Sequence, residues 1–332
     1  MPSLSELLRA APKLNVQIQL AILHTILWYF LINHVFVPIT ISVINNLKTK
    51  KRFIYFNRQT FKKMLGWDLG DNEEEQILAI SRIDAAFLQH LVSGILAMPS
   101  AFGIGSSLLP IGVASAMARH ACLCEYGWET EDFILRIYEL IFCGEKGRKL
   151  NSMNLMLILI AHHSAAWCMV IPMNIFYPYH IYFHEVVCIV SLGAFVVSFL
   201  QQYGHTLNVE TQEGLTKMKI SVTISFFTVL WTRVLRYAWL SKMIYDTLLE
   251  DENWFILRCF AAPAILMNCI NASIFKDGSE KFRKFVTMKI KKAPIGKIKD
   301  VKELATKSAR IFTKNESSKK RKKRLRKKKF KG

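Results

Sequence analysis

Long apolar runs recur along the 332-residue chain and limit what it can fold into. The chain is 52% hydrophobic although 21% of its residues are charged, and the apolar residues are grouped into runs rather than alternating with polar ones. A helix needs about 20 mostly apolar residues to cross a bilayer. The candidate stretches are 16–47, 76–103, 105–125, 152–176, 181–203, 218–245 and 254–275. This pattern predicts an all-α, multi-span transmembrane helix bundle with about seven spans.

The third stretch is the weakest candidate, because Arg119 and His120 interrupt it. The segment 128–142 that follows is amphipathic and too short between charges to span alone. We expect it either to continue the third helix or to lie at the membrane interface. The basic segment 48–63 is too charged to span, and its aromatic residues predict a position at the membrane surface.

Lys and Arg are concentrated in the carboxyl-terminal tail. Residues 276–332 contain 24 of the 45 Lys and Arg residues but only 5 of the 25 acidic ones, so residues 1–275 carry a net charge of +1. Such a segment has little to bury and is expected to be disordered. Its expected partners are anionic lipid headgroups, at about 1 kcal/mol per basic residue, or a sorting receptor. The absence of a base-reading module in the sequence disfavours nucleic acid.

Four regions follow from these patterns: 1–75 with the first transmembrane helix and a charged surface segment, 76–248 with the main helix bundle, 249–275 with the last transmembrane helix, and the tail 276–332. Basic residues in short loops favour the cytosolic side. With seven spans, the basic loops after spans one and three and the tail share one side. The sequence therefore predicts a lumenal amino terminus and a cytosolic carboxyl terminus.

The stretch 153–185 contains ionisable groups inside apolar sequence. His162 and His163 are adjacent in one apolar run, and His184 and Glu185 open the next run after a Pro- and Tyr-rich turn. Ionisable groups are costly in hydrocarbon and mark functional positions. Adjacent helical residues point about 100° apart, so we expect one histidine of the pair to face the bundle interior and the other to bond a neighbouring helix.

The order of these motifs resembles the TLC-domain family, the ceramide-synthase-like membrane proteins. The matching pieces span about 78–245 and are QHLVSGIL with His90, EYGWETEDFI with Gly127 and Asp132, IAHHSAAW with His162 and His163, FHEVV with His184 and Glu185, and FFTVLWTRVLRYAWL with Arg233 and Arg236. The resemblance implies a helix bundle around a lipid-admitting cavity, in the endoplasmic reticulum. After His184 only Glu185 stands where ceramide synthases carry further acidic residues, which favours a non-synthase member.

Each candidate residue also has a structural alternative. The predicted catalytic residues are His162, His163, His184 and Glu185, and the predicted lipid- or phosphate-binding residues are Arg233, Arg236, His90 and Asp132. The histidine pair could instead join two spans by hydrogen bonds. His184 and Glu185 could cap a helix, and the arginines could pair with acidic groups such as Asp84, Glu125 or Asp132.

Three functions remain open on the sequence alone. The first is a lipid-binding or lipid-homeostasis protein with membrane lipids as partners. The second is an acyl-CoA-dependent N-acyltransferase, with His162 or His163 as base and the arginines holding the acyl donor. The third is an accessory of translocation or trafficking. No cofactor is predicted, and Cys122 and Cys124 lack the second close pair that a zinc site would need, so no metal ligand is predicted either.

Overall fold

The computed structural model describes residues 2–66, 69–103 and 109–289, and these ranges contain helices and no strand. The helices are α1 Leu4–Leu8, α2 Leu14–Asn46, α3 Lys50–Leu65, α4 Glu73–Phe102, α5 Ile111–Phe142, α6 Gly144–Leu150, α7 Met153–Phe176, α8 Ile181–Thr206, α9 Gln212–Glu250 and α10 Trp254–Thr287. Six of them, α2, α4, α7, α8, α9 and α10, are long and apolar enough to cross a membrane. The predicted all-α transmembrane bundle is therefore confirmed.

Seven stretches were predicted from the sequence, whereas six helices of the structure are long and apolar enough to cross a membrane. Helix α5 accounts for the difference. It is a single helix of 32 residues, so the amphipathic segment 128–142 continues the third stretch. Its charged residues lower its hydropathy, but Arg119, Glu129 and Glu131 are buried inside the protein. A helix whose polar groups face protein rather than lipid does not need an apolar surface all round.

Local sequence signals set several helix ends. Asn72, Ser152, Thr211 and Asn253 each accept a backbone N–H bond at the start of α4, α7, α9 and α10. Such caps satisfy N–H groups that have no partner within the helix. Gly103 ends α4 with φ +62°, a left-handed conformation that glycine adopts at low cost.

Contacts between loops define the two ends of the bundle. At the amino-terminal end, Arg119 near the start of α5 bonds the carbonyls of Ala10 and of Pro178 in the turn between α7 and α8. The opposite end carries α3, whose Asn57 donates to Gln202 near the end of α8 at 2.9 Å. The amino terminus and the Pro- and Tyr-rich turn therefore share one end, whereas α3 lies at the other.

The long helices α2 and α9 each contain one π-helical turn, at Leu31–Phe36 and Leu230–Leu235. A π turn adds a residue to the helical repeat and redirects the side chains within it. The second π turn contains Arg233, whose side chain is buried inside the bundle. The local irregularity thus lies where the chain turns a charged residue inward.

Close approach between α2 and α5 depends on Gly127. A Cβ added there would lie 2.7 Å from the main-chain carbon of His24 on α2, which is closer than packed atoms allow. The absence of a side chain lets the two backbones touch and holds the polar face of α5 near the middle of the bundle.

The last helix extends beyond its predicted end. The sequence places the end of the last span at residue 275, but α10 continues to Thr287, and its final turns include basic residues such as Lys284. The remainder of the tail, from residue 290, lies outside the described residues.

Candidate functional site

A polar stripe on α5 forms the centre of the site. Glu125, Glu129, Asp132 and Arg136 follow one another at intervals of four, three and four residues, so they lie on one face of the helix. Glu129 is 5% exposed, and Asp132 is paired with Arg136 through bonds of 2.9 and 3.0 Å. This face of α5 brings carboxylates to the helix α7 that carries the histidine pair.

Both adjacent histidines reach the same carboxylate. His162 Nε2 lies 3.7 Å from Glu129 Oε1, and His163 Nδ1 lies 3.7 Å from Glu129 Oε2. The sequence predicts that one histidine faces the bundle interior and the other bonds a neighbouring helix, and in the structure both rings also approach one carboxylate of α5. The rings do diverge on α7, but the carboxylate lies between them and presents one oxygen to each.

His163 is held more tightly than His162. Its side chain is completely buried, and its Nε2 faces Asp132 Oδ2 at 3.4 Å. Trp128 and Trp167 pack against its ring with centroid distances of 5.9 and 5.6 Å. His162 keeps 27% of its side chain exposed and faces the cavity described below. His162 is therefore the member of the pair that a ligand can reach.

A second polar group lies one helical turn away along α5. Glu125 Oε1 accepts a hydrogen bond from Ser191 on α8 at 2.6 Å and faces His90 Nδ1 on α4 at 3.2 Å. The His90 ring also packs edge-on against Trp128, with centroids 5.2 Å apart. These contacts join α4, α5 and α8 through one carboxylate whose side chain is 13% exposed.

His184 and Glu185 take part in contacts that do not include the histidine pair. His184 is 1% exposed, and its Nδ1 lies 2.7 Å from the Ser100 hydroxyl on α4. Glu185 binds Arg236 on α9 in a bidentate pair, with bonds of 2.6 and 2.8 Å. Glu185 is one of the predicted catalytic residues, but the carboxylate beside His162 and His163 in the structure is that of Glu129.

The two arginines of α9 also separate. Arg233 donates to the carbonyl of Val190 at 3.0 Å and lines the cavity, whereas Arg236 lies over the Trp239 ring and is bound by Glu185. The acidic partners suggested from sequence, Asp84, Glu125 and Asp132, bind neither arginine through an ion pair within the described part of the chain. The arginines therefore do not form one clamp for a phosphate.

A cavity of about 120 Å³ lies between α4, α5, α7, α8, α9 and α10. Its lining includes eight polar side chains: His90, Glu125, Glu129, His162, Ser191 and Arg233, and also Tyr237 and Ser241, which follow Arg233 on α9. Its apolar side chains include Met169, Val170, Phe183, Val186, Ile244, Phe260 and Met267. Of the predicted site residues, His90, His162 and Arg233 line it, while His163, His184, Glu185, Arg236 and Asp132 lie outside the lining.

Polar and apolar residues occupy different ends of this cavity. On α7 the polar His162 is followed by Ala166 and Met169 toward the turn at Pro178. On α8, which runs the other way, Phe183 lies nearest that turn and Ser191 lies farthest from it. We call the end with His162 and Ser191, near the bundle centre, the polar end. The end with Met169 and Phe183, toward the turn, is the apolar end.

His180 lies outside the membrane-spanning segments, in the turn between α7 and α8. It accepts the Phe183 N–H through Nδ1 and so caps α8, and burial lowers the pKa of its ring. A neutral ring keeps the lone pair that this cap requires. The cap fixes where α8 begins and, with it, the register of Phe183 and Ser191 along the cavity.

Three residues of the site are absent from those predicted from the sequence: Glu129, Glu125 and Ser191. All three lie in the lining of the cavity. A signal for the first two was present, because the stripe from Glu125 to Arg136 has helical spacing from the end of the third stretch into the segment 128–142.

Comparison of the chain with protein-family models, with curated proteins and with solved structures returns no match.

Proposed function

We propose that this multi-pass membrane protein binds the head group and adjoining chain carbons of a single-chain lipid in the cavity, with the rest of the chain extending out of it, and serves in lipid homeostasis. The observation that carries the proposal is the division of the cavity into a polar and an apolar end. A lipid has the same division, and burying its chain against apolar side chains while its head group bonds His90, Ser191 or Arg233 satisfies both parts. The sequence resemblance to the TLC-domain family agrees with this assignment and with a location in the endoplasmic reticulum.

The test is lipid retention by the full-length protein. Ala264 lies in the lining, so Ala264→Trp fills part of the apolar end, and we expect at least about a tenfold loss of retained lipid in native mass spectrometry. Ala262→Trp is the matched control, because Ala262 is exposed on the same helix and its substitution leaves the cavity open. A wild-type protein without bound lipid, or equal retention by the two variants, contradicts the proposal.

One contact favours acyl transfer as a second function. His162 on the cavity wall lies 3.7 Å from the Glu129 carboxylate, which is the arrangement of a general base with its orienting acid. In this reaction His162 takes the proton of an acceptor amine while the amine attacks an acyl-CoA thioester. The new C–N bond forms, the C–S bond breaks, and CoA leaves as its thiol after receiving the proton.

Product formation from acyl-CoA and a panel of sphingoid and lysolipid acceptors tests this second function. We expect His162→Ala to lower the rate about 10²–10⁴-fold, the range for loss of a general base. His34→Ala, at an exposed position on α2, is expected to keep the rate. Absence of product with the wild-type protein across the panel rules out acyl transfer and leaves lipid binding unaffected.

A further inference from the structure

Two buried hydrogen-bond acceptors face each other beside the cavity. His163 Nδ1 and Glu129 Oε2 are 3.7 Å apart, and neither has a hydrogen-bond partner among the described residues. A buried polar atom without a partner costs about 1–3 kcal/mol, and more when it is charged. Something positive between these atoms is needed to offset that cost.

The contacts of Asp132 determine which nitrogen of His163 carries the proton. Asp132 is acceptor-only when ionised and is already bound by Arg136, so the His163 Nε2 that faces it is the donor. Neutral His163 therefore presents a lone pair on Nδ1 toward Glu129. A histidine whose second nitrogen donates to a carboxylate is the usual arrangement behind a metal ion.

His162 supplies a third ligand atom. The ligand atoms of Glu129, His162 and His163 all lie within 4.8 Å of one another. Ligands bound tetrahedrally at about 2.0–2.2 Å lie about 3.4 Å apart, so the His–Glu separations of 3.7 Å are already close to this value, and the widest separation must shorten by at most about 1.4 Å through side-chain rotation. Since His162 and Glu129 line the cavity, a fourth coordination position would open toward it.

The local charge also favours a cation. Asp132 is neutralised by Arg136, but Glu129 has no Lys or Arg within ion-pair distance in the described ranges. A buried carboxylate without a counter-charge is strongly disfavoured. We propose that Glu129, His162 and His163 bind a divalent first-row transition-metal ion, such as Zn²⁺ or Fe²⁺, with Asp132 orienting His163.

The proposed metal site is a property separate from lipid binding, and it is incompatible with acyl transfer by His162. Acyl transfer needs the His162 proton on Nε2, facing Glu129, and a free lone pair on Nδ1, whereas a metal ion on Nε2 leaves the proton on Nδ1, so the two roles of His162 are incompatible. Two imidazoles and one carboxylate suit zinc, and the same set with open positions suits non-haem iron.

The test measures metal bound by the full-length protein. Protein stripped with chelator and titrated with Co²⁺ is expected to bind about one ion per chain, with visible absorption bands of low-coordinate cobalt that Zn²⁺ displaces. Elemental analysis of protein purified without added metal distinguishes zinc from iron. Glu129→Gln and His162→Gln are expected to abolish the bands, and Asp132→Asn to weaken binding about 10–100-fold.

Two controls separate this result from misfolding and from lipid binding. His184→Gln changes another buried histidine, outside the cluster, and is expected to keep the cobalt bands. Ala264→Trp is expected to lose lipid but keep the metal. If wild-type protein gives no stoichiometric bands, or if Glu129→Gln binds Co²⁺ as tightly as the wild type, a proton rather than a metal bridges Glu129 and His163.

Discussion

Arg236→Met is expected to destabilise the folded protein by about 3 kcal/mol, because it leaves the buried Glu185 carboxylate without a partner, while the Arg236 side chain itself is 30% exposed. Glu185 is only 4% exposed, and both of its oxygens are bound by Arg236. The methionine keeps most of the apolar stem but leaves the carboxylate buried without its counter-charge. The free energy of unfolding, measured by titration with SDS in mixed micelles, checks the result.

The double variant Glu185→Gln/Arg236→Met separates the charge from the packing. Removing both charges eliminates the uncompensated carboxylate, so we expect the double variant to be more stable than Arg236→Met alone. A loss below about 1 kcal/mol for the single variant, or no recovery in the double variant, would show that the pair contributes little. This pair joins α8 to α9, which form adjacent walls of the cavity.

The second large effect is expected for Arg119→Met. The Arg119 guanidinium donates to the carbonyls of Arg9, Ala10 and Pro178 at 2.7–2.8 Å, and the residue is 3% exposed. Hydrogen bonds to a charged group contribute about 1.5–3 kcal/mol each, so we expect a loss of about 3 kcal/mol or more. The same detergent titration measures it.

Loss of Arg119 should also release the amino-terminal segment. Ala10 has a positive φ of 43°, an unfavourable conformation for a residue with a side chain, and its carbonyl is held by Arg119 and Gln17. Trypsin should therefore cleave at Lys13 faster in Arg119→Met. Arg9→Met is the matched control, because its side chain is exposed and surface substitutions change stability by about 0.5 kcal/mol or less. Equal cleavage of the two variants would contradict this function of Arg119.

The helix pattern was largely predictable from the sequence, because apolar runs of sufficient length have few other folds in a membrane. The hairpin of α7 and α8 follows directly from two apolar runs and the turn at Pro178. Composition could not predict that α5 packs among the apolar helices, because its charged residues are compensated by contacts with distant segments. Arg119, for example, is satisfied by carbonyls more than 50 residues away in either direction.

The site was predictable only in part. The rarity of histidine in apolar sequence drew attention to His162 and His163, and both lie at the site. Their partner was missed because Glu129 belongs to a different helix, and sequence spacing carries no information on which helices become neighbours. Arg236 and Glu185 were singled out individually, yet their bond depends on the packing of α8 against α9.

If the proposed lipid binding holds, the direction of the cavity determines which leaflet could supply the lipid. The polar end lies near the bundle centre, and the apolar end points toward the end that holds the amino terminus. A lipid bound this way has its chain directed toward that end, as do lipids of the leaflet on the α3 side. Such a lipid could enter by moving inward along the membrane normal, whereas one from the other leaflet would first have to turn over.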